Sequence, residues 1–221
     1  MKMHFFEAKD DLKTVLPEEL IKKLPKNIIL FTTVQHIGQL ENIKRQLSDF
    51  NVKTEKVPHT KYEGQILGCS IKKIDDSADA FLYIGDGEFH PKALVLKNEK
   101  PVIAYNPYTQ KIREYHEKDI GDLKKKQKAG LVKFHVSDNI GVLVTLKPGQ
   151  NRLKRAQKLK EKFPDKNFYI LVADTIDFGS LEDFNYIDCF VNTACPRIGY
   201  DDTIKIGKPV INLEELDELT W

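Results

Sequence analysis

The sequence predicts an α/β protein made of two tandem, repeat-related domains, each a small parallel sheet with flanking helices. Apolar runs bounded by polar residues recur along the chain, which is typical of strands covered on both faces in a parallel sheet. Segments with apolar residues at helical spacing follow the first strand of each half. The apolar runs and helical segments of the first half recur in the same order in the second half, at a nearly constant separation in residues.

The first half contains four predicted strands and one predicted helix. The strands are NIILFTT (27–33), KTEKV (53–57), DAFLYIGDG (79–87) and KPVIAYNP (100–107). The helix is GQLENIKRQLSDF (38–50), in which the apolar residues at helical spacing are Leu40, Ile43, Leu47 and Phe50. A strand, a helix and further strands in this order form β-α-β-type units with parallel neighbours.

The second half repeats this pattern. Its predicted strands are IGVLVTL (140–146), NFYILVAD (167–174), DCFVNTACP (188–196) and KPVINLEE (208–215). Its predicted helix is GQNRLKRAQKLKEKF (149–163), with one apolar side formed by Leu153, Ala156, Leu159 and Phe163. The two Lys-Pro-Val-Ile copies lie 108 residues apart. We therefore expect an N-terminal segment (1–26), a first α/β domain (27–120) and a second α/β domain (121–221).

Composition argues against several functional classes. With 35 Lys and Arg against 33 Asp and Glu, the formal charge is only +2, unlike a strongly basic nucleic-acid-binding domain. The lysine run in KDIGDLKKKQKAGLVKFHVSDN (118–139) is interpreted as a solvated helix face. No apolar run reaches about 18 residues, and acids stand where a signal peptide needs apolar residues. We expect a cytoplasmic protein that binds neither membranes nor nucleic acid.

Three cysteines are too few for a disulfide framework, so each is a buried small side chain, a nucleophile or a metal ligand. Cys189 aligns with Ala80 in the first half and is predicted to lie mid-strand in the core. In a regular strand it would share a face with Cys195 but lie about 20 Å away, too far for one metal site. Cys69 and Cys195 fall in predicted turns at strand ends, where open α/β sheets bind ligands. For either thiol alone, an inert side chain is the alternative interpretation.

Four polar residues in predicted turns are further candidates for ligand binding. Lys147 and Gln150 lie between a strand and a helix, where backbone N–H groups suit a carboxylate, or they form an ordinary turn. Asp86 stands between two glycines, but the segment lacks a complete GxGxxG pattern. His90 is a candidate ligand, proton carrier or substrate contact, with a purely structural imidazole as the alternative.

Three other polar side chains are predicted at the same strand ends. Arg197 could pair with a carboxylate or lower the electrostatic cost of a nearby charged group, or it forms a salt bridge with Asp201 or Asp202. Gln35 and His36 follow the first strand and face the predicted crevice. Neither CxxC nor zinc-site spacing is present, whereas iron–sulfur ligation by cysteines far apart in sequence stays open.

Seven motifs occur in an order that resembles a known family. They are TTVQHIGQLE, GQILGC, YIGDGEFHP, KPVIAYNPY, TLKPGQNR, VNTACPRIGYDD and KPVINLEEL. In this order they resemble the archaeal diphthamide-synthesis enzymes, radical S-adenosylmethionine enzymes that make 2-(3-amino-3-carboxypropyl)histidine on elongation factor 2. The resemblance extends from about residue 16 to residue 216.

The resemblance implies a 3-amino-3-carboxypropyl transferase with a 4Fe–4S cluster and S-adenosylmethionine as cofactors. Family members have three similar α/β domains, each of which gives one cysteine to the cluster, and they act as homodimers. Cys69 matches the ligand of the second domain and Cys195 that of the third. The first domain has no counterpart in this sequence, so the third cysteine is expected from a homodimer partner or a separate chain. Gln35, Asp86, His90, Lys147, Gln150 and Arg197 are the expected cofactor-binding residues.

Two other functions remain open from the sequence. One is a non-catalytic accessory subunit, which keeps the fold but binds a partner that carries the first domain. The other is a small-molecule-binding α/β protein without a cluster, in which both turn cysteines are inert.

Overall fold

The structure is a computed structural model that describes residues 4, 6–69, 71–74 and 77–219. The chain divides into two compact units, Met1–Gly121 and Asp122–Trp221. Parts of the predicted N-terminal segment (1–3 and 5), Ser70 of the GQILGCS turn and the last two residues lie outside the described residues. Both units combine helices with largely parallel sheets, so the predicted α/β class is confirmed.

The first unit is a five-stranded sheet with helices on its connections. Its helices are α1 (Glu18–Lys23), α2 (Leu40–Gln46) and α3 (Phe89–Asn98), with 3₁₀ turns at Val34–Gln39 and Glu117–Ile120. Its strands are β1 (Asn27–Thr32), β2 (Asn51–Lys53), β3 (Ala80–Ile84), β4 (Val102–Tyr105) and β5 (Ile112–Tyr115). The order is β2-β1-β3-β4-β5, with β1 to β4 parallel and β5 antiparallel to β4.

The second strand of this unit begins earlier than KTEKV predicts. β2 ends at Lys53 because it pairs only with the first half of β1, through Asn27↔Asn51 to Ile29↔Lys53. Thr32, the last residue of β1, pairs instead with Gln65 through an isolated bridge. The chain therefore leaves the sheet after residue 53 and returns to it at residue 65.

The second unit is a four-stranded parallel sheet. Its helices are α4 (Gly121–Val136, which begins at the last residue of the first unit), α5 (Leu153–Gln157), α6 (Leu159–Lys162), α7 (Arg197–Tyr200) and α8 (Leu213–Leu219), with 3₁₀ turns at Gly179–Asp183 and Asp202–Lys205. Its strands are β6 (Asn139–Thr145), β7 (Asn167–Ala173), β8 (Cys189–Asn192) and β9 (Val210–Asn212). Their order, β7-β6-β8-β9, repeats the order β2-β1-β3-β4 of the first unit.

Each unit has its own hydrophobic core. The predicted apolar side of residues 149–163 is confirmed, since Ala156 and Leu159 are buried and Leu153 and Phe163 pack against them. The helix itself begins only at Leu153 and is interrupted at residue 158. No helix in the described part of the chain is both long and apolar enough to cross a membrane.

Leu82 lies in the middle of β3 with no exposed surface. We expect Leu82→Ala to lower the free energy of unfolding of the first unit by about 2.5–5 kcal/mol, because it removes buried methyl groups and leaves a cavity. Leu146→Ala is the control, since that side chain is 46% exposed and should change stability by less than about 0.5 kcal/mol. Urea unfolding of the wild type and both variants measures the difference. Equal losses in the two variants would contradict this assignment of the core.

Candidate functional site

The carboxyl ends of neighbouring strands in the first unit are joined by a buried side chain. Thr32, the last residue of β1, is fully buried and donates a hydrogen bond from its Oγ1 to the carbonyl oxygen of Ile84, at 2.6 Å. Ile84 is the last residue of β3, so the turns after β1 and β3 leave the sheet side by side. These are the turns that carry Gln35 and Asp86.

Cys69 reaches the same edge on the connection between β2 and β3. The backbone of Thr32 accepts the N–H of Ile66 and donates its own N–H to Gly64, both at 2.8 Å. This pairing fixes the segment only three residues before the exposed Cys69. Gly68 allows close packing there, because a Cβ atom on it would lie 2.2 Å from Cε1 of Phe89, the first residue of α3. The thiol therefore lies beside the turn from β3 into α3.

Gln35 is held by the N-terminal segment and by the turn after β4. Its side-chain Nε2 donates to the Tyr108 hydroxyl at 2.8 Å, and its carbonyl accepts the N–H of Asp10 at 2.7 Å. The Tyr108 hydroxyl in turn donates to the Asp10 carboxylate, which lowers the pKa of that carboxyl. Asp86 accepts a hydrogen bond from Asn106 Nδ2 at 2.7 Å. The N-terminal segment thus forms one wall of this edge.

The two histidines near this edge have different surroundings. His36 is fully buried, and neither ring nitrogen has a hydrogen-bond partner among the described residues. Burial lowers its pKa, while the negative charges of Asp10 and Asp86 oppose that effect. His90 stacks on the ring of Tyr83 with centroids 5.7 Å apart, and its Nδ1 lies 3.2 Å from the Tyr83 hydroxyl. Burial raises the pKa of Tyr83, so this hydroxyl stays protonated beside the imidazole.

The second unit brings its candidate residues to the corresponding edge. Thr193 is buried directly after β8 and donates both its N–H and its Oγ1 to the carbonyl of Leu143 in β6, at 3.0 and 2.8 Å. The turn after β6, with Lys147, and the turn after β8, with Cys195, therefore leave adjacent strands. Cys195 is partly exposed and lies two residues before α7.

The prediction that Cys189 lies mid-strand and shares a strand face with Cys195 is wrong. Cys189 is the first residue of β8 rather than a mid-strand residue, and the strand ends at Asn192. Cys195 lies beyond that end in a turn, so the even spacing does not place the two on one face. The core assignment of Cys189 is nevertheless confirmed, because its side chain is fully buried in the apolar cluster of Phe134. Burial, assisted by the charge of Asp188, raises the pKa of this thiol to about 12.

The remaining predicted residues of the second unit have local partners. Arg197 Nε donates to the Asp201 carboxylate at 3.1 Å, which is one of the two predicted salt bridges. Lys147 and Gln150 are joined by a backbone hydrogen bond of 3.0 Å in a turn. This turn is not the start of the helix, because α5 begins three residues after Gln150. Gly149 has a φ of 77°, which is incompatible with a helix at that point.

A metal or cluster would find one accessible thiol at the carboxyl edge of each sheet. Thiolates are the ordinary ligands of iron–sulfur clusters, so Cys69 and Cys195 fit such a group by their chemistry. Within the ranges that the structure describes, no three His, Cys, Asp or Glu side chains form a metal-binding group. Each thiol therefore fits as part of a ligand set, and the described residues of neither unit provide a full set.

Sequence reasoning missed two parts of these edges. In the first unit they are Asp10, Asn106 and Tyr108, which come from the N-terminal segment and the turn after β4. In the second unit they are buried polar residues at the ends of β8 and β9. The sequence contained one signal of these buried polar residues. The two Lys-Pro-Val-Ile copies differ at the next residue, which is Ala104 in the first and Asn212 in the second.

The fold and these edges define a class of tandem α/β proteins with one accessible thiol at the carboxyl end of each parallel sheet. The chain belongs to the diphthamide synthesis family, since the family model described as "Putative diphthamide synthesis protein" matches residues 2–219. The predicted family resemblance is thereby confirmed.

Relatives and solved structures agree with this assignment. The chain is 32% identical to 2-(3-amino-3-carboxypropyl)histidine synthase of Pyrococcus horikoshii over 204 residues, covering 90% of this chain and 58% of that protein. It is 30% identical to the Methanocaldococcus jannaschii protein of the same name, covering 93% and 55%. A crystal structure of Dph2 from P. horikoshii with a 4Fe–4S cluster matches with a TM-score of 0.81 and 33% identity, covering 96% and 64%. The chain spans about half the length of the curated relatives that it matches.

Thiol titration tests the exposure of the three cysteines. In native protein at about pH 8 we expect Cys69 and Cys195 to react with iodoacetamide, because both reach solvent and only a thiolate attacks the reagent. Cys189 should react only after unfolding, since it is buried and its pKa is raised to about 12. Mass spectrometry of digested protein locates the modified residues. Equal modification of all three cysteines in folded protein would contradict the structure.

Proposed function

We propose that this chain acts in diphthamide synthesis, in the transfer of a 3-amino-3-carboxypropyl group from S-adenosylmethionine to a histidine of elongation factor 2. Membership of the family and similarity to two proteins named 2-(3-amino-3-carboxypropyl)histidine synthase support the reaction class. An elongation factor as the protein substrate also supports a cytoplasmic location. The chain spans about half the length of the synthases that it resembles, so it is proposed as part of the transferase.

The observation that carries the proposal is the pair of accessible thiols, one at the carboxyl edge of each sheet. Cys69 and Cys195 would hold a 4Fe–4S cluster, as supported by the cluster in the similar Dph2 structure. A bound cluster would supply the electron for radical cleavage of a sulfur–carbon bond in S-adenosylmethionine. Cys189 takes no part, because its side chain is fully buried in the apolar core at the opposite end of β8 from the Cys195 turn.

Two thiolates leave the cluster short of the three expected in the family. The third thiolate would come from a second copy of this chain or from a separate chain. In either case, Cys69 and Cys195 must stay accessible until the partner binds. Both thiols are solvent-accessible in the structure, in agreement with that requirement.

Each edge carries polar groups that are suited to a charged cofactor. In the second unit, Lys147 and Arg197 would attract the carboxylate of the methionine moiety, with Gln150 as a hydrogen-bond donor. Asp201 already pairs with Arg197, so the guanidinium would have to share its donors between two carboxylates. In the first unit, Asp86, Gln35 and His90 are the polar groups proposed to contact the cofactor.

An accessory role is the second candidate. It is favoured by the site geometry, because the described residues contain no group of three metal-binding side chains. An accessory chain would bind the catalytic partner without holding iron. A small-molecule-binding protein without a cluster differs from both, because replacing Cys69 or Cys195 would then change nothing.

Iron and acid-labile sulfide per chain, after anaerobic reconstitution, distinguish these functions. We expect about four of each in the functional assembly, and at least a severalfold loss in Cys69→Ala and in Cys195→Ala. Cys189→Ala is the matched control and should keep its iron, because that thiol lies in the core. Incubation with labelled S-adenosylmethionine, a reductant and elongation factor 2 then tests transfer to the histidine.

The alternatives give different results in the same experiment. Iron that appears only when a partner chain is added supports a split enzyme. Absence of iron with and without a partner, together with a stable complex, supports the accessory role. If the Cys69 and Cys195 variants bind as much iron as the wild type, the cluster assignment is wrong.

A further inference from the structure

Three polar side chains are buried beneath the Cys195 turn. Asn192 and Asn212, the last residues of β8 and β9, are each 1% exposed, and Glu215 in α8 is 3% exposed. Buried polar groups are costly unless they are hydrogen-bonded, so a cluster of three at one strand end needs a physical reason.

Two of these side chains hold the backbone of the turn. Asn192 Nδ2 donates to the carbonyl of Cys195 at 2.9 Å, and Asn192 Oδ1 accepts the N–H of Ala194 at 3.1 Å. Asn212 Nδ2 donates to the carbonyl of Pro196 at 3.2 Å. The same two carbonyls accept the N–H groups of Ile198 and Gly199, which begin the helical turn of α7. The backbone on both sides of the thiol is therefore fixed.

Glu215 determines how the side-chain amides of Asn212 and Asn192 are oriented. Its carboxylate accepts hydrogen bonds from the N–H of Asn212 at 3.2 Å, from Asn212 Nδ2 at 3.2 Å and from Gln127 Nε2 at 2.7 Å. A carboxylate only accepts, so Asn212 must turn its NH₂ group toward Glu215 and its oxygen toward Asn192. That oxygen accepts Asn192 Nδ2 at 2.7 Å, which directs the Asn192 amide toward Cys195.

The helix after the thiol is packed directly on this network. A Cβ atom on Gly199 would lie 2.5 Å from both Nδ2 and Oδ1 of Asn212. Only a glycine lets α7 approach the amide so closely. The turn is thus held by hydrogen bonds to its carbonyl groups and by the packing of α7 against Asn212.

The first unit lacks this network at its equivalent positions. At the same offsets, Tyr83 stands for Asn192 and Ala104 for Asn212, while Asp86 occupies the position of Cys195. The two sheets therefore differ in their buried polar residues, and the network occurs where a thiol follows the third strand directly. The bond from the Asn212 N–H to Glu215 caps the start of α8, which has no counterpart directly after β4. The bonds of the two amides to the carbonyls of Cys195 and Pro196 are not part of that cap.

We propose that Asn192, Asn212 and Glu215 are positioning residues for Cys195. They hold the turn so that the thiol stays in one place at the edge of the sheet, ready to bind iron. The ligand role of that thiol rests on the proposed function, whereas the ordering of the turn does not. Rigid outer residues of this kind fix the direction of a metal ligand and reduce what must be ordered on binding.

Hydrogen exchange of the Cys195 turn tests the proposal. In Asn212→Ala we expect the amides of Ala194, Ile198 and Gly199 to exchange at least about fivefold faster. This factor corresponds to the net free energy that one hydrogen bond contributes to stability. Asn139→Ala is the matched control, since Asn139 bonds Asn167 and Tyr169 at the other end of the same sheet. It should leave these amides unchanged. Exchange within about twofold of the wild type in Asn212→Ala would overturn the proposal.

A milder variant covers the case in which Asn212→Ala does not fold. In either orientation of its amide, Glu215→Gln places an NH₂ group against a donor of Asn212, so the same amides should exchange faster. Gln127→Ala is the matched variant, because it removes the outer bond to Glu215 without placing a donor against Asn212, and it should leave exchange within about twofold of the wild-type rate. Equally fast exchange in both variants would count against a positioning role and in favour of a general loss of stability.

Thiol alkylation adds a readout that general stability does not change. The rate at Cys195, divided by the rate at Cys69 in the same molecule, should change by at least about twofold in Asn212→Ala and not in Asn139→Ala. An unchanged ratio would overturn the positioning inference. Full iron in Cys195→Ala would instead overturn the proposed function, and the exchange experiment would still decide how the turn is held.

Discussion

Both sheets depend on a buried threonine hydroxyl that joins the carboxyl ends of two adjacent parallel strands. Thr32 bonds the carbonyl of Ile84, and Thr193 bonds the carbonyl of Leu143. Each bond lies between the central strands of its sheet, at the point where the connections depart to opposite sides. Because these bonds are shielded from water, they fix the separation of the turns that leave the strands, and every candidate ligand group except Cys69 follows one of those turns.

The internal repeat does not extend to the thiols. Cys69 reaches its sheet edge on the connection between the second and third strands of its unit, whereas Cys195 follows the third strand of the other unit directly. The two copies thus arrive at one arrangement, an accessible thiol at a carboxyl edge, through different loops. Only the fold is repeated, because the strand order determines the edge and the loops decide which side chain it carries.

The two edges are stabilised in different ways. In the first unit the N-terminal segment lies over the edge, where Asp10 contacts Tyr108 and Gln35, and the imidazole of His36 is buried beside them. In the second unit the stabilising groups lie inside the sheet, in the amides of Asn192 and Asn212. Exposed contacts such as the first are weakened by salt and local motion, whereas a buried and fully hydrogen-bonded network gives more rigidity. The second thiol is accordingly the more strictly positioned one.

The sequence by itself determined the α/β class, the repeated pattern, the core position of Cys189 and the family. These follow from apolar periodicity, the spacing of the two Lys-Pro-Val-Ile copies and the order of motifs, all of which are local or one-dimensional properties. Only the tertiary structure decided that β2 ends at Lys53, that residues 147–150 form a turn and that Asn212 and Glu215 support Cys195. The end of β2 and the support of Cys195 depend on partners distant in sequence, such as Gln65 beside Thr32 and Gln127 beside Glu215, and such pairings leave no periodic signal in the chain.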